Sequence, residues 1–219
     1  MNNPKTKKLV TSAVLIAMGT AISLVCEFIP FLNLPFGGTI TVASLLPIVI
    51  IGYMYGRAWG FGAAFVYSLL QIAVGMKTVS ALFTPTSDGF MWLVVAFGVI
   101  ALDYIAAFTS VGLSSLFRNI KRPALAVAVG SVVGLLACYF FHFVSGALFY
   151  GAWAEWFFTD TVAGDFAISK AILENFSGGA LAAIYSAVYN GCYMIPEIVI
   201  TAVVGAIVAN VPMIKKNKA

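Results

Sequence analysis

Six apolar runs, at 9–29, 39–55, 58–76, 90–116, 123–151 and 177–210, take up most of this 219-residue chain. A run of roughly 20 apolar residues is the length of helix that crosses a bilayer. In hydrocarbon every backbone N–H and C=O must find a partner inside the protein, which leaves only helices and closed barrels as crossing elements. The runs are too long and too evenly apolar for the alternating strands of a barrel. They predict an all-α membrane protein, a bundle of six transmembrane helices forming a single domain over 1–219. Composition agrees: 62% of residues are hydrophobic and 9% charged, against about 25% charged in soluble domains. This excludes a soluble enzyme, a disordered tail and a nucleic-acid-binding domain. The second run is short and holds Pro47, so its limits are open. The last two are long enough to tilt or project.

Charge sets the orientation. Ten of the twelve Lys and Arg residues (Lys5, Lys7, Lys8, Arg57, Arg118, Lys121, Arg122, Lys215, Lys216 and Lys218) fall on one side of the expected spans, and only Lys77 and Lys170 on the other. Short basic loops stay in the cytoplasm, so both termini are expected there. The net charge of +4 then reflects these loops and not a nucleic-acid partner. The basic N-terminus before an apolar run resembles a signal peptide, but no small-residue cleavage site closes that run, and it is expected to be a retained first helix. Cys26, Cys138 and Cys192 lie far apart in apolar stretches and read as packing residues. One histidine, His142, excludes a multi-histidine metal site, and no cofactor is expected. The outer segment 152–176 opens on Trp153, Trp156, Phe157 and Phe158, which fits an interfacial aromatic belt or a lid over an outward-facing pocket.

Ionisable residues inside a bilayer are costly and mark function. Three occur here: Asp103, His142 and Glu197. At ~1.5 Å rise per residue, Asp103 and Asn190 lie about 20 Å below the outer surface, and His142 and Tyr185 about 12–13 Å. These four can converge in the outer half of the bundle. Singly, Asp103 could be a structural acid, His142 a satisfied interhelical donor, and Tyr185 and Asn190 interhelical glue; their shared depth argues for a site. Glu197, about 30 Å down, falls in another layer. With Pro196 it reads as a kink and a packing or partner contact more than as a ligand. A carboxylate, an imidazole, an amide and rings from Tyr104, Phe141, Phe149, Tyr150, Tyr185 and Tyr189 would suit a small, flat, positively charged ligand. Nucleotide-binding and hydrolase motifs are absent: Gly75-Met76-Lys77-Thr78 lacks the Walker-A spacing.

Three segments resemble the thiamine-specific substrate-binding (S) component of bacterial energy-coupling-factor transporters. They are Leu102-Asp103-Tyr104 with Ala106-Ala107-Phe108 and Gly112-Leu113; His142-Phe143-Val144-Ser145-Gly146 through Phe149-Tyr150-Gly151; and Tyr185-Ser186-Ala187-Val188-Tyr189-Asn190-Gly191 through Tyr193, Pro196 and Glu197. Gly37-Gly38-Thr39-Ile40, Pro47 and Gly56-Arg57 agree more weakly. The resemblance implies a non-catalytic, multi-pass protein of the bacterial cell membrane that captures thiamine outside and moves it inward with a membrane coupling subunit and paired ATPases. Its ligand positions map onto Asp103, Tyr104, His142, Gly146, Tyr150, Tyr185 and Asn190. Its coupling surface maps onto Ala13, Ala17 and Ala21 of the first helix, a repeat that alone would read as internal helix packing. A tryptophan usual in the family stands here as Tyr150, the acid is the shorter Asp103, and Phe31 or Phe36 takes the place of a first-loop tryptophan. The competing readings are the same architecture for another flat vitamin or a thiamine precursor, a membrane enzyme using Asp103 and His142 as acid and base, and a proton-coupled carrier.

Overall fold

The computed structural model describes residues 3–216 and 218, with the side chains of Phe36, Val162 and Lys216 outside that description. Helix α1 (Pro4–Glu27) begins where the Asn3 side chain accepts the Lys5 N–H at 2.9 Å and Pro4 occupies the first turn, the position where a missing N–H costs nothing. It is followed by α2 (Leu46–Tyr55), α3 (Arg57–Val74), α4 (Met76–Ala81), α5 (Leu93–Phe117), α6 (Pro123–Phe149), α7 (Ala154–Asp160), α8 (Ala167–Asn175), α9 (Gly178–Val208) and α10 (Pro212–Lys216). Among the described residues there is no strand, only an isolated antiparallel bridge between Asn33 and Thr39. Four helices, α1, α5, α6 and α9, are long and apolar enough to cross a membrane. They expose large apolar side chains such as Val14, Phe97, Phe140 and Val203, the surface a lipid-facing helix presents.

The second apolar run departs from expectation. Only 46–55 is helical, about 15 Å of rise and half the hydrocarbon thickness. Pro47 opens the helix, and nine of its ten residues are buried. Residues 30–45 are irregular, with two short 3-10 turns, and their last three, Ala43, Ser44 and Leu45, are buried. Irregular backbone at membrane depth is tolerated only where protein or a water-filled cavity surrounds it. At its other end α2 stops at Gly56, whose φ of +86° is the left-handed conformation that glycine takes without strain. Arg118 donates from Nε and Nη2 to the carbonyls of Tyr53 and Met54 at 3.3 Å each, meeting the unpaired C=O groups of the helix end.

Other charges gather at that end. The Lys8 ammonium lies 4.2 Å from the Trp59 ring centre and 5.2 Å from that of Tyr55, and the Lys218 ammonium 5.0 Å from that of Tyr53. Trp59 donates to Ser12 at 2.7 Å. The residues expected on the inner side before the first span, after the fourth and after the sixth thus converge on one turn.

Two apolar cores fill the bundle. One surrounds α2, with Ile48, Val49, Ile51, Met54, Tyr67 and Leu135; the other holds Leu82, Val99, Tyr150, Phe157, Tyr185 and Tyr189. Where they meet lies a cavity. Ser23 and Glu27 near the end of α1 line it, some 22 Å along the helix from Lys8.

Candidate functional site

Helix α5 is not uniform. It runs as α-helix over Leu93–Val99, π-helix over Ile100–Ala106, α-helix again over Ala107–Ser110 and 3-10 helix over Val111–Phe117. A π-turn widens the helix and frees backbone groups, and such turns cluster at functional sites. Asp103 and Tyr104 sit inside it and both reach the cavity wall. On α6, His142 and Ser145 lie three residues apart on one face. Ser145 donates to Asp103 Oδ2 at 2.8 Å, and His142 Nδ1 lies 3.0 Å from Asp103 Oδ1. Were Asp103 a carboxylate, which only accepts, Nδ1 would be the donor of this pair. The Asp103 side chain remains 19% exposed. Phe108 and Tyr193 meet the His142 ring edge-on at 5.7 and 5.9 Å between centres.

Helices α6 and α9 approach closely because Gly146 has no side chain. A Cβ there would collide with Ser186 Oγ and come within 3.0 Å of Asn190 Nδ2. Ser186 donates to the Phe143 carbonyl at 2.7 Å. The Asn190 amide nitrogen bonds the Ser186 carbonyl at 2.9 Å and the His142 carbonyl at 3.3 Å, and its Oδ1 accepts from Tyr193 at 2.6 Å. The amide hydrogens are therefore committed to the helix pair, which leaves an Oδ1 lone pair for a ligand. Tyr185 and Tyr189, one turn apart, face the cavity and are backed by Phe157 at 5.3 and 5.9 Å. Phe157 and Phe158 are buried while Trp156 is exposed. The start of the 152–176 segment thus packs behind the cavity's tyrosines through Phe157.

The facing wall is built from α1, α3 and residues 37–45. Gly37 has φ +96°, and a Cβ on Gly38 would lie 2.9 Å from the Tyr189 hydroxyl. That hydroxyl accepts the Gly38 N–H at 3.2 Å and donates to the Pro35 carbonyl. Farther along, Val42 and Ala43 both have positive φ, 45° and 66°, a costly pairing for residues with a Cβ. Glu197 on α9 holds them: it accepts the Ala43 N–H at 3.2 Å and the Thr201 hydroxyl at 3.3 Å, with the Thr41 hydroxyl and the Leu45 N–H also bonded to it.

All seven expected ligand positions, Asp103, Tyr104, His142, Gly146, Tyr150, Tyr185 and Asn190, line this one cavity. Of the other rings considered, Tyr189 lines it and Phe141 and Phe149 do not; Phe149 packs on Gly98 instead. Glu197 corrects the expectation of a separate layer, since it lines the same cavity. Counting depth along straight helices missed that residues 39–45 descend to meet it. Phe31 is 84% exposed and away from the cavity, so it does not stand in for the loop tryptophan; the Phe36 side chain lies outside the described residues. Cys26 and Cys138 are buried as expected of packing residues, whereas Cys192 faces outward. Ser23, Gln71, Tyr189 and Tyr193 also line the cavity. Gln71 was within reach of sequence reasoning as an amide in an otherwise apolar run. Among the described residues no three His, Cys, Asp or Glu side chains cluster as metal ligands.

A family model described as "Thiamine transporter protein (Thia_YuaJ)" matches residues 13–173, which include the Asp103 and His142 segments but not α9. The protein "Thiamine transporter ThiT" of Bacillus subtilis (strain 168) is 29% identical over 201 residues, covering 86% of this chain and 85% of the relative. A protein of the same description from Lacticaseibacillus paracasei is 26% identical over 146 residues, covering 59% of this chain and 66% of the relative. A solved structure of ThiT from Listeria monocytogenes shares the fold, with a TM-score of 0.64 at 20% identity over 97% of this chain and 98% of that one.

Proposed function

The chain belongs to the thiamine transporter protein (Thia_YuaJ) family of non-enzymatic membrane transport proteins, and from that premise we propose that it captures thiamine in the cavity around Asp103. The carrying observation is a carboxylate on a π-turn, partly open to a cavity that six tyrosines also line. Thiamine joins a cationic thiazolium to a flat aminopyrimidine. Asp103 would face the cation while His142 and Tyr150 stack on the rings. Asn190 Oδ1 would accept from the exocyclic amine, and Tyr104, Gly146 and Tyr185 complete the enclosure. Calorimetric titration of the purified protein tests this. Thiamine should bind far more tightly than a neutral analogue of the same shape, and equal affinities would sink the proposal.

The same reading makes the chain the S component of an ATP-driven energy-coupling-factor transporter, a single domain of six crossings with cytoplasmic termini. The irregular 39–45 segment and α2 together would make the second crossing, and α3 the third. The convergence of Lys8, Arg118 and Lys218 at one end supports this orientation; labelling of a cysteine introduced at Lys215 from outside intact cells would refute it. Ala13, Ala17 and Ala21 are all exposed, opposite the buried Ser12, Ile16, Gly19 and Ser23. This supports a lipid- or partner-facing stripe and a site for the membrane coupling subunit with its ATPases. Ala17→Trp should abolish uptake and leave thiamine affinity unchanged; parallel loss of both would show that the stripe does not serve coupling.

A further inference from the structure

Several polar side chains on the cavity wall form a chain of hydrogen bonds with one gap. Ser44 donates to Thr41 at 2.7 Å, Tyr67 donates to Ser44 at 3.2 Å, and Thr41 in turn reaches Glu197. Ser23 on α1 donates to Gln71 Oε1 on α3 at 3.1 Å. The Gln71 amide nitrogen has no partner. Gln71 is 6% exposed and Ser23 4%, and no other described group bonds the amide nitrogen. Four buried side-chain atoms lack a partner among the described residues, on Gln71, Thr109, Ser114 and Ser131, and only Gln71 belongs to the cavity wall. Turning the amide over would satisfy the nitrogen through Ser23 and strand the oxygen instead, so the gap persists in either assignment. A buried amide without a partner is expensive, and in a native structure it asks for an explanation.

We propose that Gln71, set by Ser23, is a binding residue that donates its free amide hydrogen to an uncharged acceptor on the captured ligand. The inference rests on the thiamine reading above and adds a second polar contact, from the α3 wall of the cavity. Asp103 attracts any cation of the right size. A donor on the α3 wall tells apart cations that carry an acceptor there from those that do not, because a site built to bond a polar group rejects the analogue that lacks it. Three atoms of thiamine have the required chemistry, the hydroxyl oxygen of its side chain and the two ring nitrogens of its pyrimidine.

The test is calorimetric titration of the parent protein, Gln71→Leu and Gln71→Met with thiamine and with its analogue lacking the hydroxyl, alongside thermal midpoints without ligand. Both substitutions keep the bulk and remove the stranded donor. Ser23 retains a carbonyl one turn back as an alternative acceptor. Thiamine affinity is expected to fall about tenfold, with the ligand-free midpoint unchanged or raised. A penalty that vanishes with the analogue assigns the contact to the hydroxyl; a penalty that persists assigns it to the ring. Affinity within twofold of the parent in both variants would overturn the inference, as would a loss of affinity that only follows a loss of thermal stability. If the parent itself fails to bind thiamine, the reading of the site fails first and this inference falls with it.

Discussion

Asp103 and Glu197 both put a carboxylate against the same cavity, yet they are held in opposite ways. Asp103 accepts from two side chains, His142 and Ser145, and keeps 19% of its side chain exposed. Glu197 is 2% exposed and accepts from backbone as well as hydroxyl donors: Ala43 N–H, Thr201 and, within the same nest, Leu45 N–H and Thr41. A side-chain donor can turn toward a ligand oxygen without disturbing the fold. A backbone N–H in a left-handed segment cannot move without moving the segment. Burial alone therefore does not tell the two acids apart; the kind of donor around each does. Asp103 has the adjustable shell that a cation site needs. Glu197 instead holds the start of α2 by accepting the Ala43 N–H just ahead of it.

The largest effect that would break this distinction is on affinity. Asp103→Asn keeps the shape and removes the charge. Truncating one partner of a buried charge pair costs about 2–5 kcal/mol, or roughly 30- to 4,000-fold in affinity. Thiamine binding should weaken by that order, and binding of a neutral analogue of the same shape much less. If Asp103→Asn binds thiamine as tightly as the parent, the contrast between the two acids collapses.

The intermediate effect is on stability. Glu197→Gln replaces one accepting oxygen with an NH2 group that points at donors. A buried donor left without an acceptor costs about 1–3 kcal/mol, and here the affected donors hold Val42 and Ala43 in left-handed conformations. The thermal midpoint should drop clearly, while thiamine affinity falls by less than in Asp103→Asn. A variant with an unchanged midpoint and an affinity as low as that of Asp103→Asn would reverse the two roles.

The two acids also mark what could be read in the residues beforehand. The intramembrane ionisable groups stand out against apolar runs, and counting rise along the spans brings Asp103, His142, Tyr185 and Asn190 together. The four long helices follow the apolar runs to within a few residues. The second run does not, because hydropathy measures how apolar a residue is and not whether its backbone is helical. Residues 39–45 are protected by the protein around them and have no need of a helix. The π-turn at Ile100–Ala106 has no signature in side-chain pattern, since it adds one residue to a turn within an apolar stretch. Glu197 was misplaced for the same reason as the second run: its partner is a descending segment and not a neighbouring helix. The Ala13, Ala17 and Ala21 repeat was visible as a period, but only packing shows that it faces outward.

The smallest effect tests whether the 30–45 segment is held at one point or two. Glu197 ties its inner end, while Tyr189 ties the stretch near Gly38, accepting the Gly38 N–H and donating to Pro35. Tyr189→Phe keeps the ring that packs on Phe157 and Tyr185 and removes both hydrogen bonds. A neutral hydrogen bond contributes about 0.5–1.5 kcal/mol net, and the freed Pro35 carbonyl has little burial to lose, since Pro35 is exposed. The thermal midpoint should therefore fall less than in Glu197→Gln. The sharper readout is local. Amide hydrogen exchange of a peptide covering 33–39 should speed up in Tyr189→Phe, while that of 41–46 stays slow because Glu197 still holds it. In Glu197→Gln the order should invert. If both variants loosen both peptides equally, the segment opens as one unit, and the inner carboxylate anchors the whole wall of the cavity and not its deep half alone.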